Sequence, residues 1–258
     1  LEISSISDLK ELNYSGITNI GDVHANYDAF TKAVNEAKRR NHYCIQNGDL
    51  IDYGDRNFDI LKLASDLIDS GSFCFIKGNH ERKVKRFLTQ YFKNDVRVKI
   101  SGGFKNLVDE FMLLSDDDKE KFAKLFWKLH NASFLVKCID SYVSIHGGFH
   151  LDILEHKNDI TGAARQIAYF GSLHSTKPFL ENGFPNRVHD WAFNDVPKNH
   201  IVIVGHDVLS KHTPTKVTSI HSGETYFIDT GSSKGGILTS IHFDFDDHFV
   251  KNVGYTQW

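Results

Sequence analysis

A chain of 258 residues, 40% of them hydrophobic, can bury a full core, and its length allows one large domain or two small ones. The formal net charge of −3 argues against a nucleic-acid coat protein or a strongly basic membrane binder, although a local basic groove is compatible with it. No run approaches the roughly 20 apolar residues needed to span a bilayer, so no membrane partner is expected. The opening Leu1-Glu2-Ile3-Ser4-Ser5 lacks the basic and apolar regions of a signal peptide, which predicts a cytoplasmic protein, or one of the host cytoplasm if phage-encoded. Cys44, Cys74 and Cys138 each sit in an apolar, strand-like run rather than a C-x-x-C pair, as buried thiols of a reducing compartment do.

In chain order, residues 1–16 read as a lead-in that carries no weight, and 17–258 as one domain. The β-rich run Gly16-Ile17-Thr18-Asn19-Ile20 is followed by helical spacing through Phe30, Val34 and Ala37. The unit recurs with Tyr43-Cys44-Ile45-Gln46, then Ile60, Leu63, Ala64, Leu67 and Ile68 at helical spacing, stopped by Gly71. Phe73-Cys74-Phe75-Ile76 is a third strand. Strands alternating with helices predict a parallel sheet covered on both faces, with ligands gathered at the strands' carboxyl ends. From about 81 to 133 the pattern becomes helical, with Val84, Phe87, Leu88 and Tyr91 on one face and Phe122, Leu125, Phe126 and Leu129 on another. Ser115 with Asp118 marks a helix start within it. No linker or repeat sets this stretch apart, so it reads as an insertion into one domain. Strands return at 142–145, 201–204, 226–228 and 237–243, with irregular connections between 151 and 200.

The first three predicted strands end in Gly21-Asp22-Val23-His24, in Gly48-Asp49-Leu50-Ile51-Asp52 and in Gly78-Asn79-His80-Glu81. Two later ones end in His146-Gly147-Gly148 and Gly205-His206. A glycine beside each lets the backbone turn sharply, and Asp, His and Asn offer oxygen and imidazole donors suited to manganese, iron or zinc rather than a thiolate site. Each fragment alone is a common turn; their ordered set carries the inference.

That ordered set resembles the calcineurin-like metallophosphoesterases, particularly their phosphoprotein-phosphatase branch, from residue 17 to about 243. The resemblance implies an α/β sandwich of two mixed β-sheets flanked by helices, with a helical insertion. It further implies an enzyme that hydrolyses phosphate esters with two divalent metal ions, manganese first and iron, zinc or nickel as alternatives. Carried across position by position, Asp22 and His24 are expected as ligands of the first metal and Asp49 as the carboxylate bridging both. Asn79, His146 and His206 are expected to complete the second, with Asn79 also touching the substrate phosphate. Two such cations about 3.5–4 Å apart share a water that attacks phosphorus in line. His80 would be the general acid at the leaving oxygen, oriented by Asp52. The other reading of Asp52 is a loop carboxylate capping the helix from Asn57.

Departures from the family pattern bear on substrate. An arginine usually follows the Gly-Asp-x-x-Asp motif in this branch and grips phosphate; here the residue is Tyr53. Arg187 and Arg56 are the candidates to restore a bidentate contact, Arg187 the preferred one. Val208, two beyond His206, replaces the second histidine found in many broader relatives. The stretches 165–171, 183–187, Trp191 and Ile228-Asp229-Thr230-Gly231 look like the phosphatase module of bacterial polynucleotide kinase-phosphatases, which implies action on RNA or nucleotide ends carrying a 3′-phosphate or 2′,3′-cyclic phosphate. There Asp229 matches an active-site aspartate, and Asp207 could orient a metal ligand from behind. Lambda-type phage phosphatases and diadenosine tetraphosphate hydrolases share the core motifs. The alternatives are therefore a protein serine/threonine or tyrosine phosphatase, a dinucleoside polyphosphate hydrolase and, last, a scaffold without activity. Arg82-Lys83-Val84-Lys85-Arg86 is either a solvated helix face or a set of contacts to an extended nucleic-acid backbone. No obligate protein partner is indicated.

Overall fold

Strand segments apolar at nearly every position must be covered on both faces, and the fold supplies a cover for each. The computed structural model describes residues 3–156, 159–246 and 249–258. A short helix α1 (Ile6–Glu11) leads into β1 (Gly16–Ile20), α2 (Tyr27–Arg39), β2 (His42–Gln46), α3 (Asn57–Ser70) and β3 (Phe73–Phe75). The helices α4 (Asn79–Tyr91), α5 (Phe104–Leu113) and α6 (Asp116–Ala132) follow, then the hairpin β4 (Val136–Ile139) and β5 (Tyr142–Ile145). The rest comprises α7 (Asp152–Glu155), α8 (Gly162–Phe170), β6 (Ser172–Leu173), β7 (Arg187–Val188), α9 (Asp190–Asn194), β8 (Ile201–Val204), β9 (Thr215–Thr218), β10 (Glu224–Phe227), β11 (Thr239–Asp246) and β12 (Phe249–Gln257).

These strands make two mixed sheets, one ordered β12-β11-β1-β2-β3 and the other β4-β5-β8-β10-β9. Within them β1, β2 and β3 run parallel, as do β5, β8 and β10, so six strand ends with ligand-bearing loops can converge on one edge of the sandwich. Odd and even positions of each central strand serve different layers. Ile17, Tyr43 and Ile45 face Tyr142, Ile203 and Tyr226 between the sheets, while Ile20, Cys44 and Phe75 pack outward on the helices. The helical layer is held by aromatics: Phe87, Phe104, Phe111 and Phe122 are fully buried and meet edge to face, each contributing about 1.5–3 kcal/mol of burial. Among the described residues no helix is long and apolar enough to cross a membrane.

Several boundaries differ from expectation: strands expected at 226–228 and 237–243 run over Glu224–Phe227 and Thr239–Asp246, and the connections between 151 and 200 carry α8 with the short α7, α9, β6 and β7. Leu1 and Glu2 of the lead-in lie outside the described residues, but the remainder is folded: Ser5 caps α1 with Asp8, and Ile3, Ile6 and Leu9 pack into the core between the sheets. Apolar residues at helical spacing find a sheet to pack on, so the lead-in does carry weight in the fold. The helical stretch opens at Asn79, two residues before the expected start, so Asn79 and His80 ride on the first turn of α4 rather than in a loop. Cys44 and Cys74 are buried and Cys138 is half-buried.

Beneath the convergent edge lies a buried polar network. Asn19 donates to Asn47 Oδ1 at 2.6 Å and to Ser144 at 2.8 Å, and accepts from the Tyr142 hydroxyl at 2.5 Å. Asn47 in turn donates to the carbonyls of Ile145 and Ile203, tying the two sheets together below the loops they carry.

Candidate metal centre

Each loop at this edge leaves its strand abruptly. Glycine is required at two of these exits by close approach rather than by a turn: a Cβ on Gly205 would lie 2.3 Å from Asp22 Oδ1, and one on Gly78 would lie 2.2 Å from Asp49 Oδ1. The sharp turning falls instead to the ligand-type residues themselves. His24, Asp49, Asp52 and His206 all hold positive φ, between 50° and 81°, a conformation unfavourable for side chains other than glycine and found where a site dictates the backbone.

Asp49 is the hub. Its carboxylate lies 4.0 Å from His24 Nε2, 3.7 Å from His80 Nε2 and 3.4 Å from His146 Nε2. Two groups of donors can each bring ligand atoms within 4.8 Å of one another, His24 with Asp49 and His80, and Asp49 with His146 and His206, so Asp49 belongs to both. His146 donates from Nδ1 to the Asn47 carbonyl at 2.8 Å, which turns Nε2 towards Asn79 Oδ1 at 3.0 Å and His206 Nδ1 at 3.2 Å. Asp22 lies at the same edge but outside both groups; its two oxygens accept the His206 backbone N–H at 3.0 and 3.2 Å.

The electrostatics fit cations. Burial pushes His24 down to about 3, and burial with His146 and Arg187 nearby pushes His206 well below its ordinary value, so both rings present lone pairs. Burial works against charge on His146, yet Asp49 and Asp22 push it up to about 10, a sign that these carboxylates call for positive charge between them. Burial also raises Asp22 well above the carboxylate range, with Asp229 reinforcing it; Asp49 is held well below that range by His146 and His80 in spite of its burial. Both ring nitrogens of His24, Nε2 of His206 and Oδ2 of Asp229 are buried without a hydrogen-bond partner. Unpartnered buried acceptors around a shared carboxylate, with no thiolate, are the donor set of an oxygen- and nitrogen-liganded dinuclear site.

The remaining candidates separate. His80 Nδ1 meets Asp52 Oδ2 at 2.6 Å, and Asp52 is fully buried. Glu110 instead accepts the first N–H groups of α3, from Asn57 and Phe58 at 3.0 and 2.8 Å, and Asn57 Oδ1 accepts the Asp52 N–H at 2.7 Å, so the Asp52 carboxylate is left to His80. Burial lowers His80, but Asp49 and the Asp52 bond outweigh it and raise its pKa. Arg56 is committed elsewhere, paired with Asp28 and Asp59 and 4.0 Å above the Tyr27 ring. Arg187 donates to the Phe170 carbonyl and to Asp207, both at 2.9 Å, and stands close enough to His206 to depress it. Asp207 therefore holds Arg187 and His189 rather than the metal-ligand candidate beside it in sequence. Asp229 accepts the Gly231 N–H through Oδ1 and turns its other oxygen inward.

One residue escaped the sequence reading. Lys234 comes from the Gly231–Gly236 loop, which is stapled to the first strand end by Ser232 bonding Val23 O and Ser233 bonding His24 O. Its Nζ lies 5.2 Å from the centre of the Tyr53 ring, which itself packs against His24 and His80. Burial disfavours its charge, but Asp22, Asp229 and Asp49 outweigh that and raise its pKa. The signal was there, a lysine among glycines after Asp229-Thr230, but nothing local connects it to Tyr53.

The sequence pattern described as calcineurin-like phosphoesterase matches residues 16–234. Bis(5′-nucleosyl)-tetraphosphatase PrpE [asymmetrical] from Bacillus subtilis (strain 168) is 26% identical over 240 residues, covering 87% of this chain and 89% of its own length. The protein of the same name from Geobacillus sp. (strain WCH70) is 27% identical over 237 residues, with the same coverage. Among solved structures, a protein serine/threonine phosphatase from Saccharomyces cerevisiae with similarity to human phosphatase PP5 superposes with a TM-score of 0.53 at 17% identity, covering 92% of this chain and 79% of its own, a likeness of fold.

Proposed function

Because the chain belongs to the calcineurin-like phosphoesterase family, we propose that it hydrolyses nucleotide phosphates with two divalent cations at this edge, a dinucleoside polyphosphate being its substrate. The observation that carries the chemistry is the set of unpartnered buried imidazole nitrogens, both of His24 and Nε2 of His206, on either side of Asp49. The substrate class is supported by two relatives, aligned over 87% of the chain, that are named tetraphosphatases.

Asp49 would bridge the two cations, with Asp22 and His24 on one and Asn79, His146 and His206 on the other. Manganese suits this mixture of carboxylate, imidazole and amide donors. When bound, the pair supplies Lewis-acid polarisation of the phosphate and an activated water. The protein's own groups do the rest. His80, whose pKa Asp49 and Asp52 raise against the effect of burial, gives the Nε2 proton to the leaving oxygen, and Asp52 fixes the ring through Nδ1. Lys234 and Arg187 flank the cluster and grip the phosphate oxygens. Action on RNA ends with a 3′-phosphate or 2′,3′-cyclic phosphate is the second reading, favoured by Asp229, whose inward oxygen has no partner.

Purified protein loaded with manganese is tested on diadenosine tetraphosphate, RNA ending in a 2′,3′-cyclic phosphate and a phosphopeptide, each with and without chelator. Chelator-sensitive release of ATP and AMP from the first is expected. Turnover of the RNA end or the phosphopeptide with none of the dinucleotide would overturn the substrate. Asp49→Asn is expected to lose metal and more than about hundred-fold in rate; unchanged metal content would remove Asp49 from the bridge.

A further inference from the structure

Helix α4 leaves the metal centre from Asn79 and carries Arg82, Lys83, Lys85 and Arg86 outward along its next two turns. A cavity opens on each flank. One, of about 580 Å³, is lined by Lys77, Arg82, Lys85, Arg86 and Arg165; the other, of about 740 Å³, runs from Asn79 past Arg82, Lys83 and Arg86 to Arg97 and Lys99. Arg82 and Arg86, four residues apart on one helix face, form the ridge between them.

Of the cations lining the two cavities, Arg97 is paired with Asp95. Arg39, Arg40, Arg56, Lys62, Lys105, Lys124 and Lys128 each sit on a carboxylate. Among the described residues, Lys77, Arg82, Lys83, Lys85, Arg86, Lys99 and Arg165 have none; Arg82 and Arg165 lie over the Tyr169 ring, and Lys85 meets only His130 and Trp127. The single acid lining either cavity, Glu81, is buried and already accepts the backbone N–H groups of Gly78, Asp49, Leu50 and Ile51. Lys77 responds as a crowded cation should: burial, then Arg165 and Lys85, lower its pKa. In a chain of net charge −3, a self-repelling cationic surface joined to the candidate metal centre through Asn79 requires a polyanion.

We infer that the two flanks of α4 bind the condensed phosphate chain of a nucleoside polyphosphate, continuing the site beyond the phosphate that is cleaved. The inference rests on the nucleotide reading above. A condensed chain concentrates more charge per unit length than a nucleic-acid backbone, and four of the cations here, Arg82, Lys83, Lys85 and Arg86, crowd into two helical turns. The phosphate under attack lies at Asn79 and the rest of the chain runs along the Arg82 and Arg86 ridge. Phe170 and Gln166 are shared with an apolar cleft over Ile167, Leu173 and Pro185, lined also by Arg187, that fits a base.

The test compares the metal-loaded full chain with Arg82→Gln/Arg86→Gln, both positions being exposed on the helix. The ratio of kcat/KM for diadenosine tetraphosphate to that for p-nitrophenyl phosphate, which has no chain beyond its one phosphate, is expected to fall by about ten-fold or more. Inorganic tripolyphosphate, as an inhibitor of p-nitrophenyl phosphate hydrolysis, is expected to weaken by a similar factor. If the dinucleotide is not cleaved but tripolyphosphate inhibition is still lost in the variant, the nucleotide reading fails while the phosphate-chain site stands. A ratio and an inhibition constant both within two-fold of the parent overturn the site. So does an unphosphorylated RNA oligonucleotide that outcompetes tripolyphosphate at equal phosphate concentration, since that outcome assigns the surface to nucleic acid.

Discussion

Tyr53 stands where the related phosphatases place an arginine, and the cation that faces the cluster arrives instead from Lys234, whose Nζ stacks over that ring. An ammonium held among Asp22, Asp49 and Asp229 remains charged at any working pH, which suits a contact to phosphate. Lys234→Met is therefore expected to raise KM for any phosphate ester by about ten- to hundred-fold, the worth of one charged hydrogen bond. Adding Tyr53→Arg to that variant should recover part of the loss, because the guanidinium would enter from the opposite side of the same gap. Steady-state kinetics on the single and double variants check this; an unchanged KM in Lys234→Met would remove the residue from the phosphate contact. Arg187 differs in kind, since Asp207 and the Phe170 carbonyl hold it in place before any ligand arrives.

At the scale of elements, the first turn of α4 is what shapes the Asp49 loop. Glu81, third in the helix, reaches back to Gly78 as a capping residue and also accepts N–H groups from Asp49, Leu50 and Ile51. One buried carboxylate thus satisfies the exits of two strands, and the His80 N–H closes the circuit on Asp49 Oδ1 at 2.9 Å. Glu81→Ala leaves these donors buried and unmet, and should lower the free energy of unfolding by about 2–4 kcal/mol while loosening Asp49. Urea denaturation with a parallel metal titration measures both. Equal stability would mean that water replaces the carboxylate and that the loop shapes itself.

Across the molecule, the outer face of the first sheet carries a buried polar trio distant from the centre. Thr18 Oγ1 lies 3.0 Å from both His42 Nδ1 and His242 Nδ1; His242 is directly opposite it on β11, and His42 is opposite Gly16 on β2. Burial, with Arg40 and His42 nearby, pushes His242 down to about 4 from an ordinary value of 6.5. The unfolded chain therefore binds the proton more readily between those values. The neutral ring's contribution is complete above the ordinary value and is lost as pH falls towards 4, to the extent of about 3 kcal/mol. Unfolding measured at pH 7 and pH 4.5 should show a smaller pH-dependent loss in His242→Gln than in the parent; identical losses would place the acid sensitivity elsewhere.

The strand-end motifs were legible because a ligand, the glycine beside it and the apolar strand behind it are neighbours in sequence, and the helical layer was legible because a period of 3.6 is local. The lead-in helix and the strands β9 and β12 were not, since short or half-exposed segments such as Thr215–Thr218 acquire their structure from the strand they pair with. Charge followed the same divide. Basic and acidic letters near a motif look alike in sequence, yet Arg56 is consumed by Asp28 and Asp59 and Asp52 by His80, and Arg187 is held in place by Asp207, while Lys234 and the α4 cations are left facing the centre or open solvent. The amino-acid order alone determined which chemistry the strand ends could carry. Which charges remain unspent for a substrate was decided only in three dimensions, because pairing depends on distances between residues that the chain holds far apart.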